Sequence, residues 1–170
     1  MKWLLLPLFL LMTFVSEGYT MQEIRELFHE SVETEEAARK MLVLLKDVDS
    51  NDQSILVAYK GMAYILLSKH AFNPINKLKY FNQGRDFLEN AIARDQNDME
   101  MRFLRYAVQI NVPFFLNYNN NIKKDKKFVF DGIPELKDLS VKKIVIDFML
   151  KTDDCTVAEK KWLREQANNT

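Results

Sequence analysis

Residues 69–98 read KHAFNPINKLKYFNQGRDFLENAIARDQND, and the fold turns on whether this stretch holds one long helix or two short ones. Asn73 followed by Pro74 is a helix start: an amide side chain to cap the first turn, then the residue best tolerated at the first helical position. From there the apolar positions Ile75, Leu78, Phe81, Leu88, Ala91 and Ile92, with Phe87 beside them, keep one helical phase straight through Gly84. The spacing predicts a single helix from Pro74 to Arg94, about 31 Å long at 1.5 Å per residue. Glycine in mid-helix costs up to about 1 kcal/mol relative to alanine. A close crossing with a neighbouring helix at Gly84 would offset that cost.

The preceding segment has the composition such a crossing needs. Between the polar break DVDSND (47–52) and His70, the residues Ile55, Leu56, Tyr59, Met62, Ala63, Leu66 and Leu67 leave hardly any polar side. A helix apolar nearly all round is buried on more than one face. Ser54, Gly61 and Ser68 recur every seven residues as a stripe of small side chains. A helix from Gln53 to His70, capped by Asp52, is therefore expected at the centre of the domain.

Further out, helical periodicity and start signals recur, and with only four Gly and four Pro there is little of the turn chemistry that strands require. Thr20 with Glu23 forms a capping box for a helix to about Ser31, and Thr34 caps another to about Lys46, with Glu35 and Glu36 in its first turn. Asp98 caps a helix to about Asn111. Pro113 opens a short turn, NYNNN (117–121) reads as an exposed loop, and a lysine-rich helix runs from about Ile122 to Phe130 before Gly132. Ser140 opens a helix through Val141, Ile144, Val145, Phe148 and Met149. Thr156 with Glu159 caps the last helix, through Trp162 and Leu163.

Residues 1–18 read differently. Lys2 precedes 13 residues, Trp3 to Val15, that are nearly all apolar; a membrane span needs roughly 20. The run fits the core of a secretory signal peptide with cleavage after Gly18, leaving residues 19–170 as one helical domain in a secreted or periplasmic setting. A chain of that size buries roughly 68–70% of its unfolded surface and needs no crosslinks, in keeping with its single cysteine, Cys155. Asn168-Asn169-Thr170 is a formal glycosylation sequon, relevant only in a eukaryotic secretory route.

Charge is balanced overall but unevenly distributed. Residues 17–59 hold ten acids against four bases, and residues 60–127 hold twelve bases against six acids. Either the two segments pack side by side and neutralise each other, or the basic middle faces an acidic partner. A nucleic-acid binder would show an overall basic excess.

The paired helices resemble a known repeat. In VAYKGMAY, the residues Val57, Gly61 and Tyr64, and in GRDFLENAIARDQND, the residues Gly84, Leu88 and Ala91, are similar to the tetratricopeptide pattern, with DQND in place of its Pro-Asn turn. Lys60 stands where that pattern has Leu, and Gln96 where it has Pro. Gly61 and Gly84 are 23 residues apart, about eleven more than the repeat allows, which is close to three helical turns. Both helices can lengthen by that amount without turning their buried faces outward. The resemblance covers residues 57–98. The chain also resembles secreted helical proteins of the Bacteroidota that share the phrases NPxxKLKYFNxGxxxLxxAI and MRFLRY. These likenesses imply an all-α, right-handed solenoid of antiparallel helix pairs with lengthened helices, and a protein or peptide partner held in a concave groove.

On the helix from Asp98 to Asn111, Arg102, Arg105 and Gln109 share one stripe. Paired arginines can hold a peptide's carboxylates through forked hydrogen bonds, and Tyr64 and Tyr59 could extend the groove. The bland reading is a stripe neutralised by other helices. KKDKK (123–127), with Lys123, Lys124, Lys126 and Lys127, could touch an anionic membrane surface, although a solvated helix face is the commoner meaning of such a run. His29 and His70 stand in no metal-binding spacing, and no phosphate loop or nucleophile elbow is present. No cofactor, metal site or catalysis is expected. The expected function is an extracytoplasmic interaction module for an acidic partner. The alternative is a carrier with an enclosed apolar cavity near Phe81, Phe103 and Phe114.

Overall fold

The computed structural model describes residues 19–168; the signal-peptide reading and the tail of the sequon lie outside them. Among the described residues every regular element is helical: α1 (Met21–Glu33), α2 (Glu35–Leu44), α3 (Ser54–His70), α4 (Pro74–Arg94), α5 (Met99–Asn111), α6 (Ile122–Gly132), α7 (Leu139–Lys151) and α8 (Val157–Asn168), with 3-10 turns at Phe114–Leu116 and Ile133–Glu135. None of the described helices is long and apolar enough to cross a membrane.

The caps show why the helices start where they do. Thr20 accepts from the Glu23 N–H while the Glu23 carboxylate takes the Thr20 N–H, and Thr156 with Glu159 does the same before α8. Asn73 Oδ1 accepts from Ile75 N at 2.8 Å, and Asp98 Oδ1 from Met101 N at 2.8 Å. Two start signals differ from expectation. Asp52 does not cap α3; its carboxylate instead takes the Asp49 N–H inside the turn, and Gln53 stands at the cap position without a side-chain bond. Before α7 the cap is Asp138, whose Oδ1 accepts from the N–H groups of Ser140 and Val141, so that Ser140 already lies within the helix.

α3 is the hub. It packs along α4 over nearly its whole length and also touches α1, α2 and α5. The α3–α4 hairpin closes at one point, where Gly61 faces Gly84. A Cβ placed on Gly61 would sit 2.7 Å from the Gly84 carbonyl oxygen, and one on Gly84 would sit 2.5 Å from the Gly61 carbonyl oxygen and 2.7 Å from Ile65 Cγ1. Only a residue without a side chain fits at either position, which is the offset expected for a mid-helix glycine. α4 runs unbroken from Pro74 to Arg94 through this contact.

Polar clamps fasten the remaining elements. Lys60, though buried, donates from Nζ to the Lys46 carbonyl at 2.9 Å and the Val48 carbonyl at 2.6 Å, tying the α2–α3 turn to α3. Arg94 holds the carbonyls of Ser50, Asn51 and Asp52 in the same turn. Arg25 of α1 forks onto Glu100 of α5 with two bonds of 2.7 Å and reaches Asp138 at 3.0 Å, while the buried Tyr59 hydroxyl donates to the same Glu100 at 2.6 Å. Three helices, α1, α3 and α5, thus meet at one carboxylate, and burial pushes the Tyr59 phenol well above its usual range.

Candidate functional site

Arg102, Arg105 and Gln109 do share one face of α5, at i, i+3 and i+7, but that face is covered. α6 lies across it and inserts Asp125, which is fully buried. Arg102 Nε bonds Asp125 Oδ1; Arg105 bonds Oδ2 through Nε at 2.6 Å and Oδ1 through a terminal nitrogen at 3.0 Å. The other terminal nitrogen of Arg105 takes Glu89 of α4 at 2.7 Å, and the Tyr118 hydroxyl donates to Glu89 at 2.5 Å. The Arg102 guanidinium lies over the Phe128 ring, 4.7 Å from its centre. The two arginines are thus neutralised from within, by one carboxylate on α6 and one on α4, and they do not line an open groove. The physical reason is that an unpaired guanidinium is costly to bury, and Asp125 is the partner that makes burial possible.

That partner stands in the middle of KKDKK. Asp125 falls in phase with Ile122 and Val129, the inward residues of α6, while Lys123, Lys124 and Lys127 face solvent. An acid on the apolar face of a basic helix was the signal available for this bridge. Of the four lysines, Lys126 is held by the Asp154 carbonyl at 2.5 Å and by Glu159 at 3.0 Å, and Lys127 pairs with Asp131 at 2.6 Å. The run therefore stabilises its own helix and its contact with α8, and Lys123 and Lys124 make no ion pair among the described residues.

Tyr64 lies apart from the arginines. Its ring stacks on Phe87, with centroids 5.8 Å apart and planes within 2°, and on Tyr80 at 6.3 Å, a ladder that ends with the Lys60 ammonium 5.5 Å from the Phe87 centre. Tyr59 is buried against Glu100. Phe81 and Phe103 fill their surroundings rather than line a cavity: Phe81 meets Tyr118 edge-on at 5.8 Å, and Phe103 meets Phe148 at 5.3 Å. His70 bonds the Ser31 carbonyl at 2.9 Å, and no cluster of three or more potential metal ligands exists among the described residues. Cys155 is buried, and burial pushes its thiol up.

An open concave surface lies one turn further along α5. The C-terminal ends of α5 and α7 and the segment 112–121 enclose an open cleft of about 690 Å³. Phe114 and Phe148 supply apolar walls, Lys151, Asp153 and Asp154 a charged rim, and Gln109 a polar side chain within it. Gln109 is the one residue of the expected stripe that reaches an opening. Its Oε1 accepts from the Asn121 N–H at 3.2 Å, so Nε2 is the donor end, and this buried Nε2 has no acceptor. Phe114, at 83% exposure, stands at the rim. Segment 112–121 takes its shape from Asn117, whose φ of 47° and ψ of 45° place it in the left-handed region that asparagine tolerates better than most residues.

The charges around the cleft are mixed, with Lys151 beside Asp153 and Asp154. Two helix C-termini, with their partial negative charge, point at it, and Asp153 and Asp154 add carboxylates. Asp154 already receives the Tyr106 hydroxyl at 2.8 Å and Lys126 at 3.4 Å; Asp153 is exposed and has no ion-pair partner among the described residues. No protein-family model, curated protein or solved structure matches this chain.

Proposed function

We propose that the protein is a non-catalytic interaction module, with a tetratricopeptide-like core, that captures a peptide segment of an extracytoplasmic partner. The contacts of α3 with α1 and α5 as well as with its hairpin neighbours are those that stacked helix pairs produce, and they support the repeat-like reading of residues 57–98. The extracytoplasmic placement rests on the signal-like run of residues 3–15.

One observation carries the binding reading: an open cleft holds a buried, acceptor-less amide nitrogen beside an exposed aromatic ring. Buried polar groups are nearly always paired; the Gln109 Nε2 donor has no acceptor within the fold, and a turn of this side chain toward the cleft would offer it to a partner's carbonyl oxygen. An extended peptide supplies such carbonyls, an apolar side chain for Phe114 and Phe148, and a basic side chain for Asp153. With both arginines already neutralised, the basic or neutral peptide fits this surface better than the acidic one. The open, mixed lining also favours a peptide over an enclosed apolar ligand.

Selection from a random peptide library displayed on phage tests this. Enriched peptides should pair an aromatic or aliphatic residue with Lys or Arg. Phe114→Ser should weaken their binding about 30-fold, the loss typical of an interface anchor, and Asp153→Arg should select against the basic residue. Peptides that bind both variants as well as wild type would place recognition elsewhere.

A further inference from the structure

From the cleft, the Phe81–Tyr118 contact leads back to the first turns of α4, and there the surface changes character. Every residue from Phe72 to Lys79 is exposed, eight in succession spanning the α3–α4 turn and the first turns of α4. Three of them are large and apolar: Phe72 is 100% exposed, Ile75 77% and Leu78 49%. Ile75 and Leu78 are three apart and so share one face of α4, and Phe72 precedes them at the turn. A soluble protein scatters single exposed apolar side chains over its surface; three within seven residues at a helix end form a patch.

Charge tells what the patch meets. From Lys69 to Lys79 there are three bases and no acid; Arg85, further along α4, is paired with Asp86 at 3.1 Å. Lys77 and Lys79 alternate with the apolar residues and make no ion pair among the described residues; Lys69 and His70 are held by the carbonyls of Val32 and Ser31. On α1, Glu30 and Glu33 flank those carbonyls, and the end of the hairpin remains basic with both counted. The apolar area, on the order of 400 Å² for three such side chains at these exposures, is about half of what one partner contributes to a standard protein interface. The patch caps the end of a helix pair and forms no part of the cleft. A fluid anionic surface asks for no matching shape: it needs apolar side chains to enter the acyl boundary and lysines to meet headgroup phosphates.

We propose that the α3–α4 tip, Phe72, Ile75 and Leu78 with Lys77 and Lys79, is a membrane-surface site that takes anionic phospholipid. The basic run on α6, expected at the outset to be the candidate for such contact, is half committed to ion pairs, whereas the tip joins uncommitted lysines to exposed apolar side chains. Docked in this way, the protein would stand with α4 rising from the headgroup layer and the cleft loop beside it.

Co-sedimentation of the full chain with phosphatidylcholine vesicles, with and without phosphatidylglycerol, tests this, and the tip's share is the difference between wild type and variants of the same chain. Lys77→Ala with Lys79→Ala should lower partitioning onto the anionic vesicles on the order of 25-fold, from about 1 kcal/mol per lysine near such a surface, and Phe72→Ser with Ile75→Ser should lower it on both vesicle types. These residues are exposed, so the far-ultraviolet circular dichroism should not change. A Phe72→Trp variant reads the contact directly, since its added emission should shift to shorter wavelength on anionic vesicles. Unchanged partitioning of the serine variant, equal partitioning of wild type on the two vesicle types, or an unshifted tryptophan would each overturn the proposal. So would a serine variant that alters only the sedimentation coefficient, which would assign the patch to a second copy of this chain.

Discussion

Replacing Gly84 with alanine sets two effects of opposite sign against each other. In an exposed helix interior the change would stabilise by about 1 kcal/mol, because alanine is the better helix former. At this position the new Cβ would lie 2.5 Å from the Gly61 carbonyl oxygen and 2.8 Å from the Ile65 nitrogen. Ordinary contact begins at 3.4 Å, so the two helices must separate by about 0.9 Å along their closest line. That separation loosens the dispersion contacts of the most extensively packed helix pair in the molecule. Overpacking of this kind typically costs about 1–3 kcal/mol, and because the obstructing atoms are backbone the upper part of that range applies. The net expectation for Gly84→Ala is a loss of about 1–2 kcal/mol after the propensity gain. Gly61→Ala should behave alike, its Cβ meeting the Gly84 oxygen at 2.7 Å. The two costs should not add: a separation that accommodates one methyl makes room for the other, so the double variant should be less destabilised than the sum of the singles by about 1 kcal/mol. Urea unfolding followed by circular dichroism, at matched slope, measures all three. A stabilised Gly84→Ala, or strict additivity, would refute the mutual glycine contact.

Other perturbations follow from the buried charges and the caps. Asp125→Ala strands two arginines in the interior and should cost about 3–5 kcal/mol, whereas replacing Arg102, Arg105 and Asp125 together by Met, Met and Leu should recover most of it; thermal melts of the two variants decide. Lys60→Met removes two bonds to the α2–α3 turn and should cost about 1–3 kcal/mol, while limited proteolysis cuts sooner within residues 46–52. Asp138 has its carboxyl held below the usual value of 3.8 by the Ser140 hydroxyl, by the backbone N–H groups of Val141 and Ser140, and by Arg25. A carboxyl lowered in the folded state adds stability above its unfolded value and loses it as pH falls through the folded one. Unfolding curves between pH 5 and pH 2 should therefore fall less steeply for Asp138→Ala than for wild type.

The parts of this fold that were legible in the sequence are the local ones. Thr20 with Glu23, Asn73 with Pro74 and Asp98 act within a turn of their own position, so their meaning does not depend on what lies across the molecule. The unbroken phase from Pro74 to Arg94 was readable for the same reason. Asp138 was passed over because Ser140 offers an equally good hydroxyl two residues later, and local chemistry alone does not rank them. The arginine stripe was found correctly as a stripe and assigned the wrong surroundings. Arg102 and Arg105 look alike whether they face solvent or Asp125, and the deciding partner is 20 or more residues away on another helix. The cleft was least legible, since it is assembled from two helix ends and the segment around Asn117, none of which carries a pattern of its own. The exposed tip lies within the quoted stretch, where the helical phase counts Ile75 and Leu78 among the buried positions and Phe72 falls in the turn. Their exposure depends on which other helices reach the end of the α3–α4 hairpin, and a local pattern carries no information on that.

The facing glycines also bear on how the chain reaches its native state. The contact they make joins positions only 23 residues apart, a short loop to close, and it brings together the two longest helices of the described chain. Topologies rich in such near-neighbour contacts fold quickly. The α3–α4 hairpin can assemble while later helices are still being synthesised, and α5 then docks onto a finished template, with α6 last to deliver the carboxylate that its arginines await. A nascent chain stopped before residue 122 should therefore show a protected hairpin alongside an α5 that is less protected than in the full chain.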